Sequence, residues 1–302
     1  MRSRLDLAPE VAAALAEGRP VVALETALVS HGLPHPRNLE TMASMTRLIR
    51  EAGAVPATVG LLDGAIRVGL DDDALARFAT DPGALKVSRR DVGPVLVTKG
   101  LGATTVAGTM LCAALAGIRV MATGGIGGVH RGGETSLDIS ADLAELARTD
   151  VAVVCSGAKS ILDLGRTLEV LETAGVPVVG YGVDRLPAFH LRSSDLPLVA
   201  RVESPAGAAA LIKARAGLGG GVVIANPVPE RASLPAAEYA RWLARAEAEA
   251  AGIGGGALTP FLLDRLVKYS AGRTLAANVA LLEANAALAA RIAGALAALD
   301  GA

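Results

Sequence analysis

Residues 119–163 gather the side chains most able to do chemistry. They run Arg-Val-Met-Ala-Thr-Gly-Gly-Ile-Gly-Gly-Val-His-Arg-Gly-Gly, pass through Leu-Asp-Ile-Ser-Ala-Asp, and end in Val-Ala-Val-Val-Cys-Ser-Gly-Ala-Lys-Ser-Ile-Leu-Asp. Two strand-like apolar runs each empty into a glycine-rich turn, and this stretch carries Thr123, His130, Asp138, Asp142 and Lys159. Backbone amides bared by glycine can cradle an anion, an amine can attack a carbonyl, and carboxylates can hold a metal. Together they are a set of parts for chemistry on a phosphorylated sugar.

Lys159 follows an apolar run and a Ser-Gly-Ala turn, which puts it at the expected start of a helix over 160–174. The helix dipole disfavours a cation there, lowering its pKa and raising the neutral fraction that imine chemistry needs. A solvated surface lysine is the competing reading. Glu25 ends the run Val-Val-Ala-Leu. Desolvation at a buried strand end raises a carboxyl pKa toward general acid/base work, and a buried ion pair is the alternative. Ser140 reads as a helix N-cap with Asp142 in the first turn. Asp138 has no such structural duty and suits a weakly held Mn²⁺ or Mg²⁺ ligated mostly by water.

Lys86-Val-Ser-Arg-Arg-Asp91 concentrates cations, either as solvated charge or as a phosphate anchor. The glycines at 124–128 come too late for a dinucleotide fingerprint and lead into a loop, not a helix, so a turn opening onto a small phosphorylated ligand fits better. His31 and His35 lie in a loop beside Glu25 that reads as a lid. No CxxC, HExxH or histidine cluster offers a zinc site.

The elements that must position these residues follow an α/β rhythm. Strands are expected at 20–24, 57–62, 95–98, 120–122, 151–155, 176–181 and 221–225, with helices at 38–52, 72–78, 106–116, 140–147, 160–174 and 205–216. Several strand runs are continuous and valine-rich, as in a mostly parallel sheet buried on both faces. Alanine-rich helices at 236–251 and 275–298 should pack outside the sheet or against another subunit. The expectation is a three-layer α/β/α fold, one domain over 1–302 with a helical C-terminal extension from about 232 to 302. The glycines at 252–256 read as a hinge.

Composition narrows the partners. The 302 residues include 29 basic and 30 acidic ones, and 2% are aromatic, which argues against nucleic acid. Hydrophobic residues make up 52%, much of it dispersed alanine, and no uninterrupted apolar stretch approaches the roughly 18–20 residues of a membrane span. The first ten residues hold acids where a signal peptide would be apolar, so no membrane and a cytoplasmic address are expected. Cys112 and Cys155, inside apolar runs, read as buried free thiols.

Eight stretches, taken in chain order, carry a resemblance. They are Ala-Leu-Glu25-Thr, Lys86-Val-Ser-Arg-Arg-Asp, Gly102-Ala-Thr-Thr-Val106-Ala, Ala-Thr-Gly-Gly-Ile-Gly-Gly-Val-His130-Arg-Gly, Asp138-Ile-Ser-Ala-Asp142, Gly-Ala-Lys159-Ser-Ile-Leu-Asp, Asn226-Pro-Val-Pro-Glu230 and Thr259-Pro-Phe-Leu-Leu. The chain resembles the pseudouridine-5′-phosphate glycosidase family, also called pseudouridylate synthase or indigoidine synthase A-like, along almost its whole length. That resemblance implies reversible cleavage of the C–C glycosidic bond of pseudouridine 5′-phosphate to uracil and ribose 5-phosphate, in pseudouridine catabolism. It implies Lys159 as the nucleophile, Glu25 as proton donor and acceptor, and Asp138 as the ligand of one Mn²⁺. It places Lys86, Val106, Ser140, Ala141 and Asp142 at the substrate, with Thr123, His130 and Asn278 by local similarity, in a homotrimer. Ala257-Leu258 and the loop 132–137 depart from the family pattern without touching a proposed catalytic position.

The chemistry agrees with the parts. An N-glycoside can release nitrogen with the bonding electrons, whereas a C–C bond offers no such leaving group. An amine nucleophile splits the problem, because an iminium at C1′ can take up and return electrons. Two rivals stand beside this reading: an aldolase-like Schiff-base lyase acting on another phosphorylated sugar, and a non-enzymatic phosphosugar-binding regulatory module. The latter is favoured if Glu25, Asp138 and Lys159 lie far apart.

Overall fold

The computed structural model describes residues 2–250, 252–253 and 258–301. Residues 254–256 of the expected hinge, Ala251 and Ala257 lie outside the described residues. In chain order the strands are β1 (Leu5–Leu7), β2 (Val21–Glu25), β3 (Val55–Leu62), β4 (Ala65–Val68), β5 (Leu85–Val87), β6 (Gly102–Thr104), β7 (Val120–Ala122), β8 (Ala152–Cys155), β9 (Val178–Tyr181), β10 (Ala200–Val202) and β11 (Val222–Ala225). The α-helices are α1 (Pro9–Ala16), α2 (Arg37–Glu51), α3 (Asp72–Thr80), α4 (Arg89–Thr98), α5 (Val106–Ala116), α6 (Gly133–Ser136), α7 (Ala141–Leu146), α8 (Leu164–Thr173), α9 (Pro205–Ala214), α10 (Ala236–Glu249), α11 (Leu258–Tyr269) and α12 (Arg273–Asp300).

All eleven strands join one sheet, ordered β1-β4-β3-β2-β7-β8-β11-β9-β10, with β6 pairing β3 and β5 pairing β6. Only β3–β4 and β3–β6 are antiparallel. The central strands β2, β7, β8 and β11 are parallel neighbours, so their carboxyl ends, and the loops that leave them, stand side by side. In open parallel sheets that edge is where ligands bind.

Alternation along the valine-rich strands explains the three layers. Val21, Ala23, Met121, Val153, Cys155 and Val223 point into one core with residues of α1, α5, α7, α10 and α11. Their neighbours Val22, Leu24, Val120, Ala122, Val154 and Ile224 point into the other, with α2, α3, α9 and α12. Both faces are covered, so period-2 polarity is absent and continuous apolar runs result.

Helix α12 is long and apolar enough to cross a membrane on length and composition alone. Here it lies against β7, β8 and β2 and packs on α2 and α9. Leu281, Leu288, Ile292 and Leu296 face that core at helical spacing. The alanines that raise its hydropathy let it approach the sheet closely, making it part of a layer of the fold.

One expected strand is a helix. Residues 95–98 end α4, which begins at a capping box in which Ser88 and Asp91 satisfy each other's backbone amides. The β-branched Val-Leu-Val run suggested a strand, and the capping signal three residues apart outweighed it. The helix expected over 160–174 starts later, at Leu164, where the Asp163 side chain accepts from the Arg166 amide at 3.0 Å.

Candidate active site

Glu25 is the last residue of β2, and Thr123 follows β7 next door. The Thr123 hydroxyl donates to the Glu25 carboxylate. Burial pushes the Glu25 pKa up, opposed by the Lys159 ammonium, by the Thr123 hydrogen bond and by Lys86, while Asp142 adds to the rise. Among the described residues no cation makes an ion pair with Glu25, so the alternative of a structural salt bridge is not what the fold builds.

Lys159 leaves β8 on a loop that stays paired to the loop after β7. Ile126 and Ala158 form a bridge, the Ile126 amide donates to Gly157 O at 3.1 Å, and the Lys159 amide donates to Ile126 O at 3.1 Å. The helix lies five positions further on, so Lys159 is positioned by this extension of the sheet and not by a helix start. Its charge acts on Glu25, Lys86 and His130, which places all four in one cluster.

Lys86, on β5, is exposed to solvent, yet the protein around its amine and the nearby Lys159 lower its pKa, against the pull of Asp142 and Glu25. Of the cation run around it, Arg89 is already committed. Its Nε and Nη2 each reach the Glu145 carboxylate at 2.6 Å, and Nη2 also reaches Thr149 at 3.4 Å. Arg90 is almost fully exposed and pairs with Asp91. Lys86 is therefore the member of that run that faces the cluster.

Asp142 has a scaffolding position. One carboxylate oxygen accepts from the Ala107 amide at 2.9 Å, the other from the Gly127 amide at 2.8 Å. It thereby ties the first turn of α5 to the glycine loop, while Ser140 caps α7 by accepting from the Asp142 amide at 3.2 Å. Val106 opens α5 with its side chain in the core, and the next two amides of that turn are taken by Asp142 and Thr105. Ala141 is exposed on α7 beside Ser140.

The glycines serve close packing more than open amides. A Cβ on Gly127 would lie 2.2 Å from Ser140 Oγ, and one on Gly125 would lie 2.7 Å from the Phe189 ring. The expectation of an open phosphate turn is thus replaced by a loop pressed between α7 and the 187–190 segment.

His130 and Asp138 sit at the two ends of a lobe containing α6. Val129 bridges Ile139 at its neck, and the His130 amide donates to Asp138 O at 3.0 Å. Burial lowers the His130 pKa, with Asp138 opposing and Lys159 and Lys86 reinforcing. Among the described residues, no hydrogen bond or ion pair engages the Asp138 carboxylate, and no group of three or more His, Cys, Asp or Glu stands together as a metal cage. One half-exposed carboxylate fits a mostly hydrated hard divalent ion and does not fit a fully protein-liganded one.

The loop expected as a lid is entered through one π-helical turn, Leu28–Gly32, with Leu28 and Val29 buried, while His31, Pro34 and His35 are exposed. His31 on that turn has its pKa lowered by burial and by Lys86. A cavity of about 580 Å³ lies elsewhere, lined by Leu39, Met42, Thr58 and Leu75. Its charged pair, Glu10 and Arg50, is mutually satisfied at 2.8 Å.

One residue at the back of this site was missed by sequence reasoning. Asn285 on α12 is 0% exposed. Its Nδ2 donates to Thr123 O at 2.8 Å and Ser156 Oγ at 3.2 Å, and its Oδ1 accepts from Asn226 Nδ2 at 3.0 Å. It joins the exits of β7, β8 and β11 in one knot. Asn278 lies two turns earlier on α12, half-buried. The available signal was an asparagine on the apolar face of an alanine-rich helix, which is costly unless bonded.

Comparison with known proteins identifies the family. Residues 10–295 match the family described as indigoidine synthase A like protein. The pseudouridine-5′-phosphate glycosidase of Methylobacterium nodulans is 57% identical over 97% of this chain and 88% of its own length. That of Deinococcus radiodurans is 53% identical over 97% and 95%. Among solved structures, the prealnumycin C-glycosynthase AlnA in complex with ribulose 5-phosphate superposes with a TM-score of 0.92 at 43% identity, covering 98% of each chain. An indigoidine synthase A-like protein of Thermotoga maritima gives 0.87 at 37% identity, covering 93% and 94%. With the match spanning nearly every residue, and its curated relatives bearing an enzyme's name, the chain belongs to the indigoidine synthase A-like family of enzymes.

Proposed function

We propose that the chain catalyses reversible cleavage of pseudouridine 5′-phosphate by water to uracil and ribose 5-phosphate, in pseudouridine catabolism. The observation that carries this is the meeting of Glu25 and Lys159, at and just past the carboxyl ends of β2 and β8, with Lys86 of β5, near enough that the Lys159 charge acts on the other two. The proximity of Glu25 and Lys159, two of the three residues which that reading would set far apart, counts against the regulatory module.

The steps follow from the groups present. Glu25, its pKa raised by burial, carries a proton at the start. It gives that proton to the ribose ring oxygen as the ring opens, and the neutral amine of Lys159 bonds to C1′. The carboxylate then takes back a proton from the new ammonium. Next the nitrogen lone pair forms the C1′=N bond, the C1′–C5 bond breaks, and Glu25 protonates C5 of the leaving uracil. Water hydrolyses the iminium, releasing ribose 5-phosphate as the aldehyde, and the extra proton left on the lysine nitrogen passes to the Glu25 carboxylate, restoring the free amine and the acid. Lys86 would meet the phosphate or a sugar oxygen with positive charge.

Asp138 would hold Mn²⁺ largely through water, and the bound ion would supply a fixed positive charge that orders water and substrate oxygens. Val106, Ser140, Ala141 and Asp142 would bound the substrate, with His130 at the mouth. A homotrimer and a cytoplasmic location complete the proposal. The aldolase-like reading uses the same lysine. The 57% identity to a relative named as the glycosidase favours cleavage of the C-nucleotide over it.

The test is incubation of the enzyme and Mn²⁺ with pseudouridine 5′-phosphate, measuring uracil release, followed by borohydride quenching and peptide mass spectrometry. Uracil release with a pentose phosphate adduct on Lys159, both lost in Lys159→Arg, supports the proposal. No uracil release, or no formation of the C-nucleotide from uracil and ribose 5-phosphate, ends it.

A further inference from the structure

Immediately behind Lys159 lies a polar chain that the proposed reaction does not use. Ser160 Oγ is 2.6 Å from Tyr239 Oη and 3.3 Å from His190 Nδ1. The three residues are 7%, 3% and 2% exposed. Burial holds the His190 pKa down to about 3, so the ring is neutral with a single N–H. The Ser160 hydroxyl therefore stands between a phenol and a neutral imidazole, and the three form one buried hydrogen-bonded chain.

These three residues come from three distant segments. Tyr239 belongs to α10 and His190 to the 187–190 segment, while Ser160 sits on the loop that presents Lys159. Helix α10 makes a second attachment to the site. Glu247, two turns beyond Tyr239, pairs at 3.1 Å with Arg131, next to His130. A third lies at its approach, where the Leu234 amide donates to His190 O at 3.0 Å. Non-helical from 156 to 163, the Lys159 loop has a half-buried lysine on its cleft side and a buried serine on the other.

We propose that Tyr239 and Ser160 are positioning residues for the nucleophile: α10 clamps the Lys159 loop from behind through the Tyr239–Ser160–His190 chain, so that the amine meets C1′ in a fixed place. This rests on the reading of Lys159 as the imine-forming nucleophile. It assigns the C-terminal helices a part in catalysis that goes beyond covering the sheet. A side chain with four rotatable bonds attacks efficiently only if its base is held, because small misplacements of a reacting group cost orders of magnitude in rate.

The experiment uses the full chain with pseudouridine 5′-phosphate and Mn²⁺. Tyr239→Phe removes one hydroxyl and keeps the ring, so the fold is retained. It should lower kcat about tenfold while KM stays within about twofold, since a group acting on the reacting geometry alone leaves ground-state binding in place. The rate of borohydride-trapped adduct formation on Lys159 should fall in parallel. Ser160→Ala should match it, Ser160→Thr should restore most of the rate, and the double variant should be no slower than the worse single one, because the two hydroxyls act in one chain. Wild-type kcat and trapping rate in both Tyr239→Phe and Ser160→Ala overturn the proposal. So does a fall in melting temperature with neither rate changed. A wild-type enzyme that releases no uracil overturns the parent reading, and this inference with it.

Discussion

Thr123→Val tests whether Glu25 is the proton carrier. The substitution keeps the shape of a buried side chain and deletes the hydroxyl that donates to the Glu25 carboxylate. That hydrogen bond favours the ionised form and works against desolvation, which dominates the rise in pKa. A hydrogen bond to a charged group contributes about 1.5–3 kcal/mol, and a pKa moves one unit per 1.36 kcal/mol. Glu25 is partly open to solvent at the strand end, which favours the low figure, about 1.5 kcal/mol or one pH unit. The sign is unambiguous: losing the donor removes stabilisation of the anion, so the pKa rises further. The measurement is kcat/KM for pseudouridine 5′-phosphate across pH, which reports ionisations of the free enzyme. One limb should move to higher pH by about one unit, with the other unmoved. Two limbs coincident with wild type, or a limb displaced to lower pH, would refute the assignment of Glu25.

Three further outcomes follow from the same geometry. Asn285→Ala leaves Thr123 O and the Asn226 amide without their partner in a dry core, and should cost about 3 kcal/mol, read as a melting temperature lower by roughly 5–10 °C. Arg89→Ala and Lys86→Ala should behave oppositely. The first strands Glu145, whose side chain is 2% exposed, and destabilises by about 3 kcal/mol with KM unchanged, whereas the second raises KM about tenfold or more with stability unchanged, as calorimetry and kinetics will show. Asp138→Asn should raise the Mn²⁺ concentration needed for half-activation about tenfold, in a titration after chelation, without altering the fold by circular dichroism.

How far the sequence revealed this arrangement can be argued from particular residues. The buried strands β2, β7, β8 and β11 were legible because a strand covered on both faces must be apolar throughout. Their carboxyl-end loops then marked Glu25, Thr123 and Lys159 by position. Strands β1, β5, β6 and β10 were not legible, since three residues show no period. Strand β4 was announced by Asp63-Gly64, both at positive φ in the turn that follows β3, a hairpin signal that went unread. The Val-Leu-Val of α4 misled because β-branched content is a weak preference, whereas a capping box satisfies specific amides. Asn285 and the Tyr239–Ser160–His190 chain were out of reach for another reason. Their bonds span up to 162 positions of sequence, and only the folded layers bring them together.

The site's three aspartate and glutamate roles show how environment, rather than residue type, divides the work. Asp142 has both oxygens taken by backbone amides, so its charge is spent holding α5 against the glycine loop. Asp138 is half-exposed with its carboxylate unengaged among the described residues, the condition a water-rich cation requires. Glu25 accepts from a single hydroxyl, that of Thr123, and burial pushes its pKa up beside the Lys159 amine. A C–C glycosidic bond needs a proton delivered to carbon at the moment an amine pushes electrons out, and a carboxyl whose pKa burial raises is suited to give and reclaim that proton. If Asp142 were the less constrained of the pair, the two carboxylates would compete for one role. The fold instead engages each Asp142 oxygen with a backbone amide, which is why the proton chemistry is proposed for Glu25.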